Sequence, residues 1–369
     1  LTVTLSLLTW RFVYAQALVQ PAFHRRALVL GAPESAWDLV SVLKRAGKIQ
    51  DANPFRGSGY DIFGLVSDRV DGTPAQAGDM DDIAGTVGAP LMGNVSQLVC
   101  LAREHGVDEV ILAEGTGETA SAEMHEALLD CREVGLRVST LVDVYERLTA
   151  RLPVEYTRRD THLLLSPDDN PAFRFYMASK RIIDLVLGFL GLIGLILVIP
   201  VIAVANLLTS RGPLFYRQWR IGRGGRSFVL TKFRSMIPDA EKLTGAVWSA
   251  GERDPRITPV GHLLRKTRLD ELPQVINILR GEMSIVGPRP ERPCFVGDLC
   301  RKLPLYRARH SVKPGLTGWA QVRYRYGDSV EDARVKLEYD MYYVKHASLI
   351  LDLMIILQTL RVVLRLRGQ

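Results

Sequence analysis

Asp270 and Glu271 are adjacent carboxylates that follow three cations, Arg265, Lys266 and Arg268. A short apolar segment, Val275–Arg280, reads as a helix stopped by Gly281, with Pro273 tolerated near its start. Asp270 then falls close to the N-cap and Glu271 just inside it. The plain reading is structural: Asp as a cap, Glu favoured by the helix dipole. The cations add a second reading. They hold a carboxylate ionised and can also hold a phosphate, and a helix N-terminus adds positive potential. Such a carboxylate suits nucleophilic attack on a phosphate ester, or Mg²⁺ ligation beside one.

Other polar groups cluster nearby in sequence. Phe228–Met236 (FVLTKFRSM) is strand-like and carries Lys232 and Arg234. Gly287-Pro288-Arg289-Pro290 fixes an arginine between two rigid prolines, which suits bidentate phosphate binding; otherwise it is a turn with a surface salt bridge. Pro314-Gly315-Leu316-Thr317-Gly318-Trp319 is a sharp loop bearing an aromatic, either for stacking a base or as a core tryptophan under a turn. His262, His310 and His346 show no metal-ligand spacing and read as hydrogen-bonding residues. Neither a G-x-x-x-x-G-K-[ST] nor a G-x-S-x-G motif occurs.

These residues need elements to carry them. The 369 residues suffice for two domains, and charge separates them. Pro21 to Asn170 has 14 Lys/Arg against 24 Asp/Glu, whereas Arg211 to His346 has 26 against 14. The basic half could bind nucleic acid, anionic lipid or a phosphorylated substrate. Nucleic acid ranks last, because the cations cluster around carboxylates and prolines rather than along an open stripe. Mean hydropathy is +0.07 and 24% of residues are charged, which excludes a disordered chain and an all-membrane bundle. The four cysteines form no C-x-x-C pair, which argues against a zinc ribbon, a thioredoxin motif and a disulfide scaffold, and for a reducing compartment.

Two segments are apolar. Leu1–Val19 carries Arg11 near its middle and reads as the tail of a membrane helix or as an amphipathic lead-in. Leu185–Ser210 is an uncharged run of 26 residues, roughly 39 Å as a helix and enough to cross a bilayer. Pro200 lies inside it, and both flanks are basic, with Arg174, Lys180 and Arg181 before and Arg211, Arg217 and Arg220 after. With no charge bias to direct a crossing, the segment is expected to enter, bend at Pro200 and return. Ser348–Leu360 is almost wholly apolar and precedes Arg361, Arg365 and Arg367, so it reads as an interfacial helix or a core helix.

The acidic half alternates strands and helices, the signature of a parallel α/β sheet. Strands are expected at Arg26–Gly31, Tyr60–Ser67, Glu109–Ala113 and Leu136–Ser139, with helices at Glu34–Ala46, Ser121–Glu133 and from a capping box at Asn94/Gln97 to His105. The turn after the first strand offers only Gly31 of a dinucleotide fingerprint; Pro33 and Glu34 oppose a phosphate there. A bound NAD is therefore a weak expectation, and an assembly or regulatory domain the stronger one. Ala150–Pro171 reads as a linker. The expected organisation is an N-terminal segment 1–20, a Rossmann-like parallel α/β domain 21–150, a linker 151–173, a re-entrant membrane hairpin 174–210 and an α/β catalytic domain 211–369.

Leu214 to Arg367 resembles the bacterial sugar transferase family, the monotopic phosphoglycosyl transferases. The matching stretches are FYRQWRIGRGGRSFVLTKFRSM, LLRKTRLDELPQVINILRGEMSIVGPRPE, HSVKPGLTGWAQVRY and YDMYYVKHASLILDL, in the expected order. The acidic half is similar to that of large members, and GAVWSAGERDPRITPVG and VRYRYGDSVEDARVKLEYD look closest to a subgroup tied to exosortase-type exopolysaccharide loci. The resemblance implies transfer of a hexose-1-phosphate, from UDP-glucose or UDP-galactose, to undecaprenyl phosphate at the cytoplasmic face of the bacterial inner membrane, with release of UMP. It implies that Asp270 is the nucleophile and a Mg²⁺ ligand, that Glu271 assists, and that Lys232, Arg265 and Arg289 hold phosphates. Asp340 matches a further family carboxylate at the substrate. Ile199 departs from the Ser that precedes the proline in some small members. A homo-oligomer is compatible with the family; a nucleic-acid partner is not expected. The competing functions are an NAD-dependent enzyme that modifies nucleotide sugars and a non-catalytic membrane scaffold.

Overall fold

The computed structural model describes residues 25–31, 60–67, 90–113, 122–154, 171–238, 240, 254–303, 305–324 and 329–364. The expected segments at Leu1–Val19 and Glu34–Ala46, and most of the linker, lie outside these residues. The chain divides into two units, Leu1–Thr161 and His162–Gln369.

The first unit is built on β1 (Arg25–Leu30), β2 (Tyr60–Ser67), β3 (Leu91–Asn94), β4 (Glu109–Leu112) and β5 (Arg137–Thr140). They form one parallel sheet in the order β3-β2-β1-β4-β5. Side chains alternate across a strand, so β1 feeds two cores. Ala27 and Val29 face Leu141 and Val144 of α3 (Leu141–Thr149). Leu28 and Leu30 face Leu98 and Ala102 of α1 (Leu98–Glu104), with Met124 and Cys131 of α2 (Ala122–Glu133). Apolar cover on both faces is what a parallel sheet requires. Gly31 follows β1 at φ +148, and a Cβ there would lie 3.1 Å from that of Ala113. The rest of that turn is outside the described residues.

Asn94 does not form the expected capping box. A 3-10 turn, Val95–Gln97, intervenes before α1, and the Asn94 side chain instead accepts from Ser96 Oγ at 2.8 Å. True capping boxes occur at Thr140/Asp143 and Ser329/Asp332, with Asp in place of the longer Glu.

The second unit begins with α4 (Pro171–Thr209), a helix of 39 residues. It stays helical through Pro200, the position of the expected bend, with no loop there. Proline removes one donor from the ladder, and the flanking turns stay helical. Its buried residues, Tyr176, Asp184, Gly188, Leu195 and Ile202, form one stripe. Gly188 and Gly191 bring it flush against α6 (Val275–Arg280), where added Cβ atoms would stand 3.0 Å from Leu279 and 2.7 Å from Val275. The opposite face exposes Phe189, Leu190, Ile196, Leu197, Val201 and Leu208. By length and apolarity this helix could cross a membrane.

The antiparallel hairpin of β6 (Phe215–Ile221) and β7 (Ser227–Phe233) follows. Then come α5 (Pro259–Lys266), a 3-10 segment Leu269–Gln274, and α6, which ends at Gly281 with φ 83 as expected. β8 (Ser284–Val286) pairs in parallel with β9 (Gly315–Thr317). α7 (Pro293–Lys302) lies between these strands; α8 (Trp319–Arg323), α9 (Val330–His346) and α10 (Leu349–Leu364) close the unit.

α10 is buried along one face and exposes apolar residues along the other. Leu351 and Ile355 are buried, while Ile350, Leu353, Met354, Leu357 and Leu360 are exposed. Its Asp352 is buried and accepts from Tyr176 (3.2 Å), Lys180 (2.8 Å) and Tyr343 (2.8 Å), tying α10 to α4 and α9. Arg365 and Arg367 lie outside the described residues.

Candidate active site

Arg268 adopts a left-handed backbone, φ 61, between α5 and the Leu269–Gln274 segment. This turn aims Asp270 and Glu271 inward, and both are buried. Asp270 is no cap: neither the 3-10 segment nor α6 has a side-chain cap bond, and Asp270 Oδ1 has no hydrogen-bond partner.

The two carboxylates are electrostatically opposite. Burial pushes Glu271 up, but Arg289 and Lys232 hold it well below the usual carboxylate range. Its Oε1 accepts from Lys232 Nζ at 2.9 Å and from Arg289 Nη2 at 2.7 Å. Burial and the adjacent Glu271 charge raise Asp270 above its ordinary value, against the pull of Lys232, Arg265 and Arg268. Neighbouring cations outweigh burial at Glu271, whereas at Asp270 desolvation and the Glu271 charge outweigh them.

Arg289 is set by its backbone. Four consecutive carbonyls accept bonds: Pro288 from Gly315 N (2.9 Å), Arg289 from Arg309 (2.9 Å), Pro290 from Arg220 (3.2 Å) and Glu291 from Ile221 N (2.9 Å). Arg265 is set by Ser235, whose Oγ accepts from Arg265 Nε at 3.0 Å. Ser235 in turn abuts Gly261, where any Cβ would overlap its carbonyl oxygen at 2.0 Å.

Asp340 occupies a different place in this network. Its Oδ2 accepts from Arg309 Nη2 at 2.7 Å, and both groups are buried. Arg309 also donates to Tyr306, whose hydroxyl burial pushes up to about 12. Asp340 thus reaches the Gly-Pro-Arg-Pro turn through Arg309. Neither Ser235 nor Arg309 was singled out from sequence; Ser235 lies inside the FRSM stretch, and Arg309 carries no local signal.

Lys232, Arg265, Asp270, Glu271, Arg289 and Asp340 all line one cavity of about 920 Å³. Its apolar lining includes Phe215, Ile237, Phe295 and Leu299. Trp319 is a core residue: it is buried and stacks on Tyr342, with ring centroids 6.1 Å apart. His310 is half-buried, and burial beside Arg309 lowers it to about 4, so it is neutral at ordinary pH.

The donor set suits a hard divalent cation. Mg²⁺ takes one or two carboxylates together with substrate phosphates rather than an all-protein cage. Asp270 Oδ1, buried and unpartnered, is the oxygen free for that task. Among the described residues there is no cluster of three or more metal-ligating side chains.

Comparison with known proteins places this cavity in context. A family model described as bacterial sugar transferase matches residues 175–366. A UDP-N-acetylgalactosamine-undecaprenyl-phosphate N-acetylgalactosaminephosphotransferase of Aeromonas hydrophila is 36% identical over 69% of this chain and 59% of its own length. A UDP-glucose:undecaprenyl-phosphate glucose-1-phosphate transferase of Xanthomonas campestris pv. campestris is 34% identical over 74% of this chain and 56% of its own. The exopolysaccharide production protein PSS of Rhizobium leguminosarum bv. phaseoli is 37% identical over 49% of this chain and 92% of its own. The chain thus spans under two thirds of the first two relatives.

Proposed function

Because the chain belongs to the bacterial sugar transferase family, we propose that it moves a hexose-1-phosphate from a UDP-sugar to undecaprenyl phosphate and releases UMP. The observation that carries this reading is Asp270: a buried carboxylate with an unpartnered oxygen, in a cavity that also gathers Lys232, Arg265 and Arg289. A cavity this size accommodates a nucleotide sugar.

Asp270 attacks the phosphorus that bears the sugar. The phosphoanhydride bond to UMP breaks, and UMP leaves with the electron pair. A terminal oxygen of undecaprenyl phosphate then displaces Asp270 from the same phosphorus and restores the carboxylate. Lys232, Arg265 and Arg289 hold the phosphate oxygens. Glu271, kept ionised, holds Lys232 and Arg289 together between turnovers. Asp270 would hold Mg²⁺, which would supply positive charge to the diphosphate. Glucose or galactose is the sugar we favour, and exopolysaccharide synthesis the setting.

We place the site at the cytoplasmic face of the bacterial inner membrane. Both ends of α4 are bound to one unit, Lys180 to Asp352 and Asn206 to Arg234. A helix fastened in this way suits entry and return on one face. Cysteines introduced near Lys180 and near Arg217, in a background lacking the four native cysteines, should both resist a membrane-impermeant thiol reagent in intact cells. Both should label after lysis. Labelling of only one in intact cells would establish a full crossing. The N-terminal sheet we read, from its strand order, as Rossmann-like.

The testing experiment omits the acceptor. Purified protein with Mg²⁺ and UDP-glucose, UDP-galactose or UDP-N-acetylgalactosamine should release UMP stoichiometric with enzyme before any undecaprenyl phosphate is added. Release that waits for the lipid would replace the covalent step with direct displacement; no release with any donor and acceptor would sink the transferase reading.

A further inference from the structure

Outside the cavity, cations gather where α4 meets the end of α6. Arg181 donates to the carbonyls of Ile278 (2.8 Å) and Leu279 (2.9 Å), which fixes its guanidinium beside Gly281. Gly281 has no side chain, and the space a Cβ would take is bordered by Lys313 Nζ at 3.6 Å and Arg181 Nη2 at 3.7 Å. Lys313 makes no hydrogen bond or ion pair within the described residues. Arg223 and Lys180 add positive potential around it, and Lys180 is already neutralised by Asp352. The facing anion is Asp184, whose Oδ1 is engaged by Ser284 Oγ (2.9 Å) and Ile285 N (2.8 Å). Burial and the neighbouring cations, Arg181 foremost, hold Lys313 below its ordinary value against the pull of Asp184.

The position of the pair identifies its ligand. Phe175 is exposed near the start of α4, and the run of exposed apolar residues that continues along the helix starts at Ile182, the residue after Arg181. That of α10 begins at Ile350, two residues before the Asp352 that binds Lys180. The two cations therefore border the apolar surface, where a bilayer places its phosphates. None of Arg181, Gly281 and Lys313 lines the catalytic cavity. We propose that Lys313 and Arg181 form a second anion site, which takes the phosphate of an acidic lipid headgroup beside the root of α4. This rests on membrane association of α4 and holds whatever chemistry the cavity performs.

The test uses the full chain in neutral detergent micelles. The melting temperature is followed as phosphatidylglycerol, phosphatidylcholine or inorganic phosphate is added. Phosphatidylglycerol should raise it more than phosphatidylcholine does. In Lys313→Gln the concentration giving half of that rise should be about fivefold higher, the effect of one lysine near an anionic surface. Lys313→Arg should respond like wild type, which separates charge from packing and guards against a variant that folds poorly. An unchanged response in Lys313→Gln would overturn the site. An equal, Lys313-dependent rise with inorganic phosphate alone would overturn the lipid as its source.

Discussion

Asp270→Asn is expected to yield a folded protein whose transfer rate has fallen at least about a thousandfold, the scale for removing a covalent nucleophile. The amide keeps the shape of the side chain and carries no charge to bring to phosphorus. Because Asp270 caps no helix, the exchange breaks no backbone bond, and melting temperature should hold or rise slightly as a buried charge disappears. Activity at matched melting temperature, with UMP release as readout, decides the matter. Retention of more than a few per cent of wild-type turnover would remove Asp270 from the chemistry. The raised proton affinity of Asp270 has its own signature. Attack needs the anion, so the rate should fall with decreasing pH at a point above the ordinary aspartate value. Glu271→Gln, which deletes the neighbouring charge, should move that limb to lower pH while lowering the plateau, since Lys232 and Arg289 lose the oxygen that gathers them.

The second large effect is on stability. Arg309→Met should cost about 3–5 kcal/mol, the scale for stranding one member of a buried ion pair. Asp340 would remain buried without its cation, and the Arg289 carbonyl would lose its donor. Burial already raises Asp340, and without Arg309 its carboxyl should take up a proton on folding. A carboxyl whose folded value lies above its unfolded value contributes stability at low pH and loses it as pH rises. The deficit of the variant, read from denaturant unfolding, should therefore be smallest in acid and grow toward neutrality. Adding Asp340→Leu should recover most of the stability, because an apolar pair can replace a buried ionic one. It should not recover activity, because Arg289 stays loose. Recovery of both would show that the pair serves the fold alone.

Much of this arrangement is legible from residue order. β7 and the stop at Gly281 follow from local pattern, whereas the grouping of Lys232, Arg265 and Arg289 with the carboxylate pair comes from the family resemblance. The strand–helix alternation of the first unit follows from local pattern too. What escapes is decided by partners far along the chain. Ser235 looks like any serine until α5 brings Arg265 to it. Arg309 gains meaning only from Asp340, 31 residues on, and from the Arg289 carbonyl. Asp270 reads as a cap because spacing cannot show that the helix starts from a left-handed Arg268 instead. Pro200 reads as a bend from its missing donor alone, and the sequence does not show that the turns on both sides of it stay helical. Trp319 looks equally suited to stacking a ligand or filling a core, and Tyr342 settles it.

The mooring of α4 bears on where such a protein can work. A helix that crosses a bilayer must match its hydrocarbon thickness, and tilts or distorts the lipid when it does not. α4 is tied to one body near each end, at Lys180 and at Asn206. On the proposed entry and return at one face, its depth would be set by that body resting on one leaflet, and the far leaflet would not measure it. A protein built this way carries its own depth gauge, and thick and thin membranes should serve it equally.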